Sequence, residues 1–384
     1  MLTPGTKIVS RARALLSVLL ASSASLFARP DKPIVDVRIN NSFAQLTNSV
    51  GDEWAPTWAD DNALYTANDD GSSFGGFDGR CIAFGKVLGD DPAHLQGVSI
   101  SDMGGYGKDV VGHDHGNWKT MNTYCVGGVL YMFVTRCLYP EQSGDAHHRH
   151  VFKNSSIIKS TDKGRTWWRS PEETYNHPMF PGLAFGSPYF VWYGQDGKAS
   201  VDNADKYVYA VANNGHFEDG DYYILGRVSR EKLPALDAAD WQFYTGGDGM
   251  KKNNWSGDIQ AAKPILQDPL NCSMTGMTYI PALGRYVMVV WHYTTYNLRT
   301  DPRTIDNWWE APKPWGPWTK FKSINTGDLG WYVPIVGQKF QKQTSATAVD
   351  CILFPTGNYQ NGKLYKLNFM PITLSTEPLP PSVQ

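Results

Sequence analysis

The stretch Ser160-Thr161-Asp162-Lys163-Gly164-Arg165-Thr166-Trp167 constrains the fold of this chain more than any other. It fits the pattern Ser/Thr-x-Asp-x-Gly-x-Thr-Trp, a β-hairpin signature with a physical logic at each fixed position. The Asp carboxylate accepts backbone N–H bonds across the turn, the Gly takes a positive φ, and the Trp packs between neighbouring sheets. The motif is structural, so it speaks to architecture and leaves the chemistry open.

Its Trp belongs to a longer repeat. Trp167, Trp241 and Trp318 each open a short strand-like run, about 74 and 77 residues apart. Tyr131, Tyr209 and Tyr286, each just after a tight-turn signal, keep a second series about 78 and 77 residues apart. The turn-plus-Tyr pattern recurs early around Tyr65 and, more weakly, late around Tyr365. Two landmarks in step at one period predict about five units, an all-β five-bladed β-propeller of mostly four-stranded blades. The strand-like run Pro33–Ile39 stands outside the first unit. It is expected to pair with the last blade and close the ring, removing open sheet edges.

Composition agrees with many short strands and turns: 13% aromatic residues, 37 Gly and 24 Pro in 384 residues. With a net charge of −2 and no basic stripe, nucleic acid is not expected as a partner. Lys7, Arg11 and Arg13 precede the apolar run Ala14–Leu20, followed by small residues. Residues 1–28 therefore read as a secretory signal too short to span a bilayer, and residues 29–384 as one propeller domain. The mature protein is expected to be secreted or periplasmic, monomeric and free of the membrane. Cys81, Cys125, Cys137, Cys272 and Cys351 lack zinc-like spacing, and an odd number leaves at least one thiol free. Cys125 and Cys137 flank one predicted hairpin, as either a disulfide or two buried thiols.

In a propeller, the starts of the inner strands and their loops form a funnel on one face, so candidate chemistry belongs at unit starts. The first unit opens at Asp52 and its next strand ends at Asp69 and Asp70. An intervening hairpin, with Asp60 and Asp61 in its turn, returns those carboxylates to the face of Asp52. Paired carboxylates are the equipment of glycoside hydrolysis. The long connection to the second unit carries His113, Asp114, His115 and Trp118, suited to proton transfer or sugar hydrogen bonding. Alternating residues on a loop give no defined ligand geometry, so no metal and no cofactor is expected. A second loop carries His148, Arg149 and His150, where Arg149 could meet an anionic sugar. Trp54, Trp118, Tyr189 and Tyr332 lie at predicted unit starts as aromatic platforms for the apolar faces of sugars.

Three segments carry a family resemblance: GDEWAPTWADDNALYTANDDG (51–71); YILGRVSREKL (223–233) followed by DWQFYTG (240–246); and PWGPWTKF (314–321) followed by GWYVPIVGQKF (330–340). Together with the Asp-box hairpin, they make the chain similar to the five-bladed glycoside-hydrolase-like propellers, which include arabinanases and invertase-like enzymes. Within that group it resembles a bacterial secreted branch of endo-D-arabinanases. The resemblance implies catalysis by Asp52 with Asp69 or Asp70, although Asp-Asp-Gly stands where the branch favours Gly-Asp-Thr. It also implies a carbohydrate substrate, furanose-rich by that likeness. On this reading Asp52 is base or nucleophile, Asp69 or Asp70 the acid, and Asp114 a modulator of their protonation. The alternatives are a polysaccharide lyase using His113, His115 or a Tyr with Arg149, and a carbohydrate-binding propeller without turnover.

Overall fold

The fold was analysed in a computed structural model that describes residues 32–40, 42–108, 114–139, 147–198, 201–295 and 301–380. The signal-like residues 1–28 and His113 lie outside the described residues. Five antiparallel sheets follow one another as the blades of a five-bladed β-propeller, and the one α-helix among the described residues is Pro171–Asn176. Blade 1 runs Val50–Asp52, Leu64–Ser73, Arg80–Leu88, Gln96–Ser101 from the inside out. Blade 2 is built on Asn117–Val126, Val129–Leu138 and Val151–Ser160, with a Lys159↔Trp168 bridge at the fourth-strand position. Blades 3, 4 and 5 begin at Ser187–Phe190, Met277–Ile280 and Tyr332–Val336.

The expected ring closure is present. Asp36–Ile39 pairs antiparallel with Asn368–Ser375, in register from Asp36↔Ser375 to Ile39↔Ile372, as the outer strand of blade 5. The last blade is thus completed by the chain's beginning, and unfolding either end opens the ring.

The two landmarks have physical causes. Tyr65, Tyr131, Tyr209 and Tyr286 all fall on second strands. Trp167 of blade 2 meets Phe84 of blade 1 edge-on at 5.0 Å, and Trp241 of blade 3 meets Phe133 of blade 2 at 6.0 Å. Each Trp therefore seals its blade against the preceding one. In the hairpin, Asp162 accepts from the Thr166 backbone N–H (2.9 Å), the Thr166 hydroxyl (2.7 Å) and the Ser160 hydroxyl (2.7 Å). Gly164 has φ 87°, and a Cβ there would sit 2.1 Å from the Phe84 ring, so this turn requires Gly.

Tyr365 departs from the series. The second strand of blade 5 is Ala348–Thr356, and Tyr365 sits in the turn segment before its third strand. The loop that displaces it matters below. No disulfide joins any of the five cysteines, all of which lie among the described residues. Cys125 pairs across the hairpin with Leu130 while Cys137 pairs with Asn117, so the two lie at opposite ends of the ladder and cannot bridge.

Candidate functional site

The first strands of blades 1, 2 and 5 converge on a cavity of about 250 Å³. Asp52, Glu53 and Asp70 form its acidic side, Lys119 faces them, and Tyr139, Tyr293, Tyr332, Tyr359 and Tyr365 supply much of the wall. Asp52 and Asp69 are direct cross-strand partners. The neighbours Asp69 and Asp70 nevertheless end in different surroundings, because Asp70 departs from regular strand geometry. Asp69 is fully buried and accepts the Thr120 backbone N–H at 3.1 and 3.2 Å on its two oxygens. Asp70, at φ 47°, turns to the cavity, where its half-exposed carboxylate pairs with the buried Lys119 ammonium.

Four carboxyl groups around one ammonium cannot all ionise cheaply. Burial, then the charge of Asp70, pushes Asp52 up to about 7, against the pull of Lys119 and of the Tyr332 hydroxyl, which donates to Oδ2 at 2.9 Å. Burial and then Asp52 push Glu53 up to about 8, and its carboxyl shares a hydrogen bond with Asp69. Burial also lifts Asp69 well above its usual range, although Lys119 opposes it. Burial alone would neutralise Lys119, but Asp70, Asp69 and Asp52 hold it firmly protonated. The result is the Asp70–Lys119 ion pair beside three carboxyls, Asp52, Glu53 and Asp69, whose values are raised. Such divided protonation at one cavity is the usual arrangement of acid and base.

His150 lies at the same cavity, kept neutral by burial and then by Arg149, with its value depressed to about 4. Its ring stands edge-on to Tyr139 at 5.2 Å and to Phe217 at 5.4 Å.

Other sequence candidates lie elsewhere. Asp114 is bound to Arg136 (Nη2–Oδ1 2.8 Å) and to the Gly116 N–H, and Arg136 holds it ionised in spite of burial. It does not line the cavity, so the expected modulator role has no geometric basis. His115 is exposed on that loop. Trp118 is fully buried under Arg136, whose guanidinium lies 4.8 Å from the ring centroid, and Trp54 is enclosed against Phe74 at 5.2 Å. Neither can offer a face to a sugar. Tyr189 is also fully buried, and Glu53, Asp69 and Asp52, acting after burial, raise its value, which places it beneath the carboxylates. Tyr332 alone of the four aromatic candidates reaches the cavity. Arg149 is engaged by Glu218 at 3.0 Å, and His148 stacks on His216 at 3.8 Å.

Glu53, Lys119, Tyr139, Tyr293, Tyr359 and Tyr365 are cavity residues that sequence reasoning missed. Glu53 and Lys119 adjoin residues it did select. Tyr365 was visible only as a degraded repeat landmark, because its departure from the strand is what brings it to the cavity.

The fold defines a five-bladed β-propeller with a carboxylate-rich cavity among the starts of its first strands. The chain belongs to the DUF4185 family, described as a domain of unknown function, which matches residues 98–352. No curated protein matches the sequence. Among solved structures, a Bacteroides ovatus ATCC 8483 protein with a provisional hydrolase designation superposes with a TM-score of 0.52 at 10% identity, covering 86% of this chain and 87% of its own. A Xanthomonas citri GH43_1 enzyme complexed with xylotriose gives a TM-score of 0.44 at 12% identity, with 86% and 89% covered. An endo-1,4-beta-xylanase from Bacteroides thetaiotaomicron VPI-5482 gives 0.43 at 13%, with 86% and 92% covered. The first of these likenesses agrees with the propeller architecture.

Proposed function

We propose that the chain is a glycoside hydrolase of oligo- or polysaccharides, furanose-rich by the sequence resemblance, acting at the Asp52–Asp70 cavity. The observation that carries this reading is the pair of carboxyl groups on one cavity: Asp70 ion-paired with Lys119, and Asp52 buried, hydrogen-bonded to Tyr332 and held near 7. The roles differ from the sequence expectation. Asp70 is the base or nucleophile, and Asp52 is the acid that protonates the departing glycosidic oxygen. Water supplies hydroxyl to the anomeric carbon and the proton that restores Asp52. Glu53, tied to Asp69 through its carboxyl and to Thr356 Oγ1 through its N–H (3.0 Å), is a positioning residue. Burial raises the hydroxyls of Tyr332 and Tyr293 well above their usual value, so these groups serve as neutral hydrogen-bond donors and apolar walls. By the same proposal, residues 1–28 direct export and the enzyme works outside the cytoplasm.

A lyase is less well supported. It needs a cation free for a uronate carboxylate, whereas no arginine lines the cavity among the described residues and Lys119 is committed to Asp70.

The test is a digestion screen over neutral furanose-rich, neutral pyranose, uronic and sulfated polysaccharides. New reducing ends without ultraviolet-absorbing products are expected. Unsaturated products would convert the assignment to lyase, and glycan binding without cleavage on every polymer would leave a binding module. On the substrate found, kcat/KM should fall as pH rises through about 7, because the acid Asp52 deprotonates there. A rate that keeps climbing above that pH would exclude Asp52 as the acid.

A further inference from the structure

Beside the cavity, the His147–His150 segment of blade 2 meets the Asn214–Asp219 segment of blade 3. The two are stitched by backbone bonds: Phe152 N–H to Gly215 O at 2.7 Å and Phe217 N–H to His150 O at 3.2 Å. At this seam His148, His216 and Asp219 each offer a ligand atom, all within 4.8 Å of one another.

Ordinary packing does not account for these groups. Asp219 is fully buried, yet its Oδ1 has no hydrogen-bond partner, and the same holds for His148 Nε2 and His216 Nδ1. Its other oxygen accepts the His148 backbone N–H at 2.6 Å and lies 3.6 Å from His147 Nδ1. Buried polar atoms left without partners are costly and rare. The imidazoles of His148 and His216 are stacked at 3.8 Å with 27° between planes, which brings their ring nitrogens to the same side of the seam as Asp219. His148 has φ 55°, a strained backbone for a non-Gly residue, of the kind that persists where the surroundings impose it.

We propose that His148, His216 and Asp219 form a binding site for a divalent transition ion of the zinc class. Two imidazoles and one carboxylate are a donor set suited to Zn²⁺, whose ligands lie about 2.0–2.2 Å from the metal. Inward rotation of the side chains brings three atoms already clustered within 4.8 Å to such distances. The ion would clamp blade 2 to blade 3. It would also fix His150 and Phe217, neighbours of the ligands that line the cavity. The loop expectation of no metal rested on His113 and His115, whereas this site joins residues about 70 positions apart in the chain.

The experiment uses the whole chain, stripped with a chelator, reconstituted with zinc chloride and desalted. Elemental analysis should find about one zinc per chain, and a melting temperature above that of the stripped protein. His216→Ala and His148→Ala, each checked for native near-ultraviolet dichroism, should each lose at least ~10-fold in zinc affinity, the loss expected at least when a ligand is removed. Cobalt(II) added to the unaltered protein should give intense visible bands of low-symmetry nitrogen–oxygen coordination, which decides the matter if either variant fails to fold. Zinc absent after reconstitution, equal zinc in folded variants, or only the weak spectrum of hydrated cobalt would overturn the assignment.

Discussion

Asp52→Asn should lower kcat/KM on the identified substrate by at least ~100-fold, the scale of losing a positioned proton donor. Asn keeps the size of the side chain and can still accept the Tyr332 hydroxyl bond, now 2.9 Å from Oδ2. It removes the proton that the leaving oxygen needs. The loss should be accompanied by a gain in stability at high pH, and the sign follows from linkage. The folded value of Asp52 is raised to about 7 by burial and Asp70, so the folded state binds its proton more tightly than the unfolded chain. The associated stability is fully present only below the ordinary value of 3.8 and is lost as pH rises from there through about 7. Asn, which never ionises, escapes that loss. Melting temperatures of the two proteins should converge near pH 4 and diverge in favour of the variant at pH 8. Asp60→Asn is the control. Asp60 sits in the hairpin turn paired with Lys163, away from the cavity, and its change should leave turnover intact. A folded Asp52→Asn enzyme with near-normal turnover would remove Asp52 from the chemistry.

How far the site was legible in the sequence depends on what carries each signal. The blade architecture was visible because Trp167 and Trp241 each meet an aromatic residue of the preceding blade, so that packing need recurs at the blade spacing. The closing strand was visible because an apolar run outside the repeat has to find a partner. The pairing of Asp52 with Asp69 followed from a hairpin whose turn was recognisable at Asp60 and Asp61. What could not be read was which way adjacent side chains point. Asp69 and Asp70 are equivalent as letters, but one is sealed against the Thr120 N–H and the other opens to the cavity. Burial was equally hidden: Trp54 and Trp118 look like platforms at strand starts and prove to be filling. Lys119 escaped notice because a single Lys after a Trp has no pattern. Its role exists only when blades 1 and 2 stand side by side.

That role makes Lys119→Met the most damaging single change expected for stability. Met retains much of the apolar stem, so the loss isolates the charge. Lys119 is 4% exposed and is the cation that offsets Asp70, Asp69 and Asp52. Removing one partner of a buried pair costs ~3–5 kcal/mol, and the lower end, roughly 3, applies because Asp70 is half exposed. The cost should depend on pH through the carboxyls it strands. Lysine itself stays charged throughout the range, since its folded value is raised. Without it, Asp52, Glu53 and Asp69, already raised, are pushed higher still. The deficit should therefore be small near pH 4, where they are protonated in both proteins, and largest near pH 8. Asp70→Asn added to Lys119→Met should recover part of the melting temperature, because it removes the most exposed of the stranded charges together with its repulsion of Asp52. A Lys119→Met protein that melts like the wild type at pH 8 would mean that water, rather than this ammonium, balances the carboxylates, and the division of protonation on which the proposed mechanism rests would fall with it.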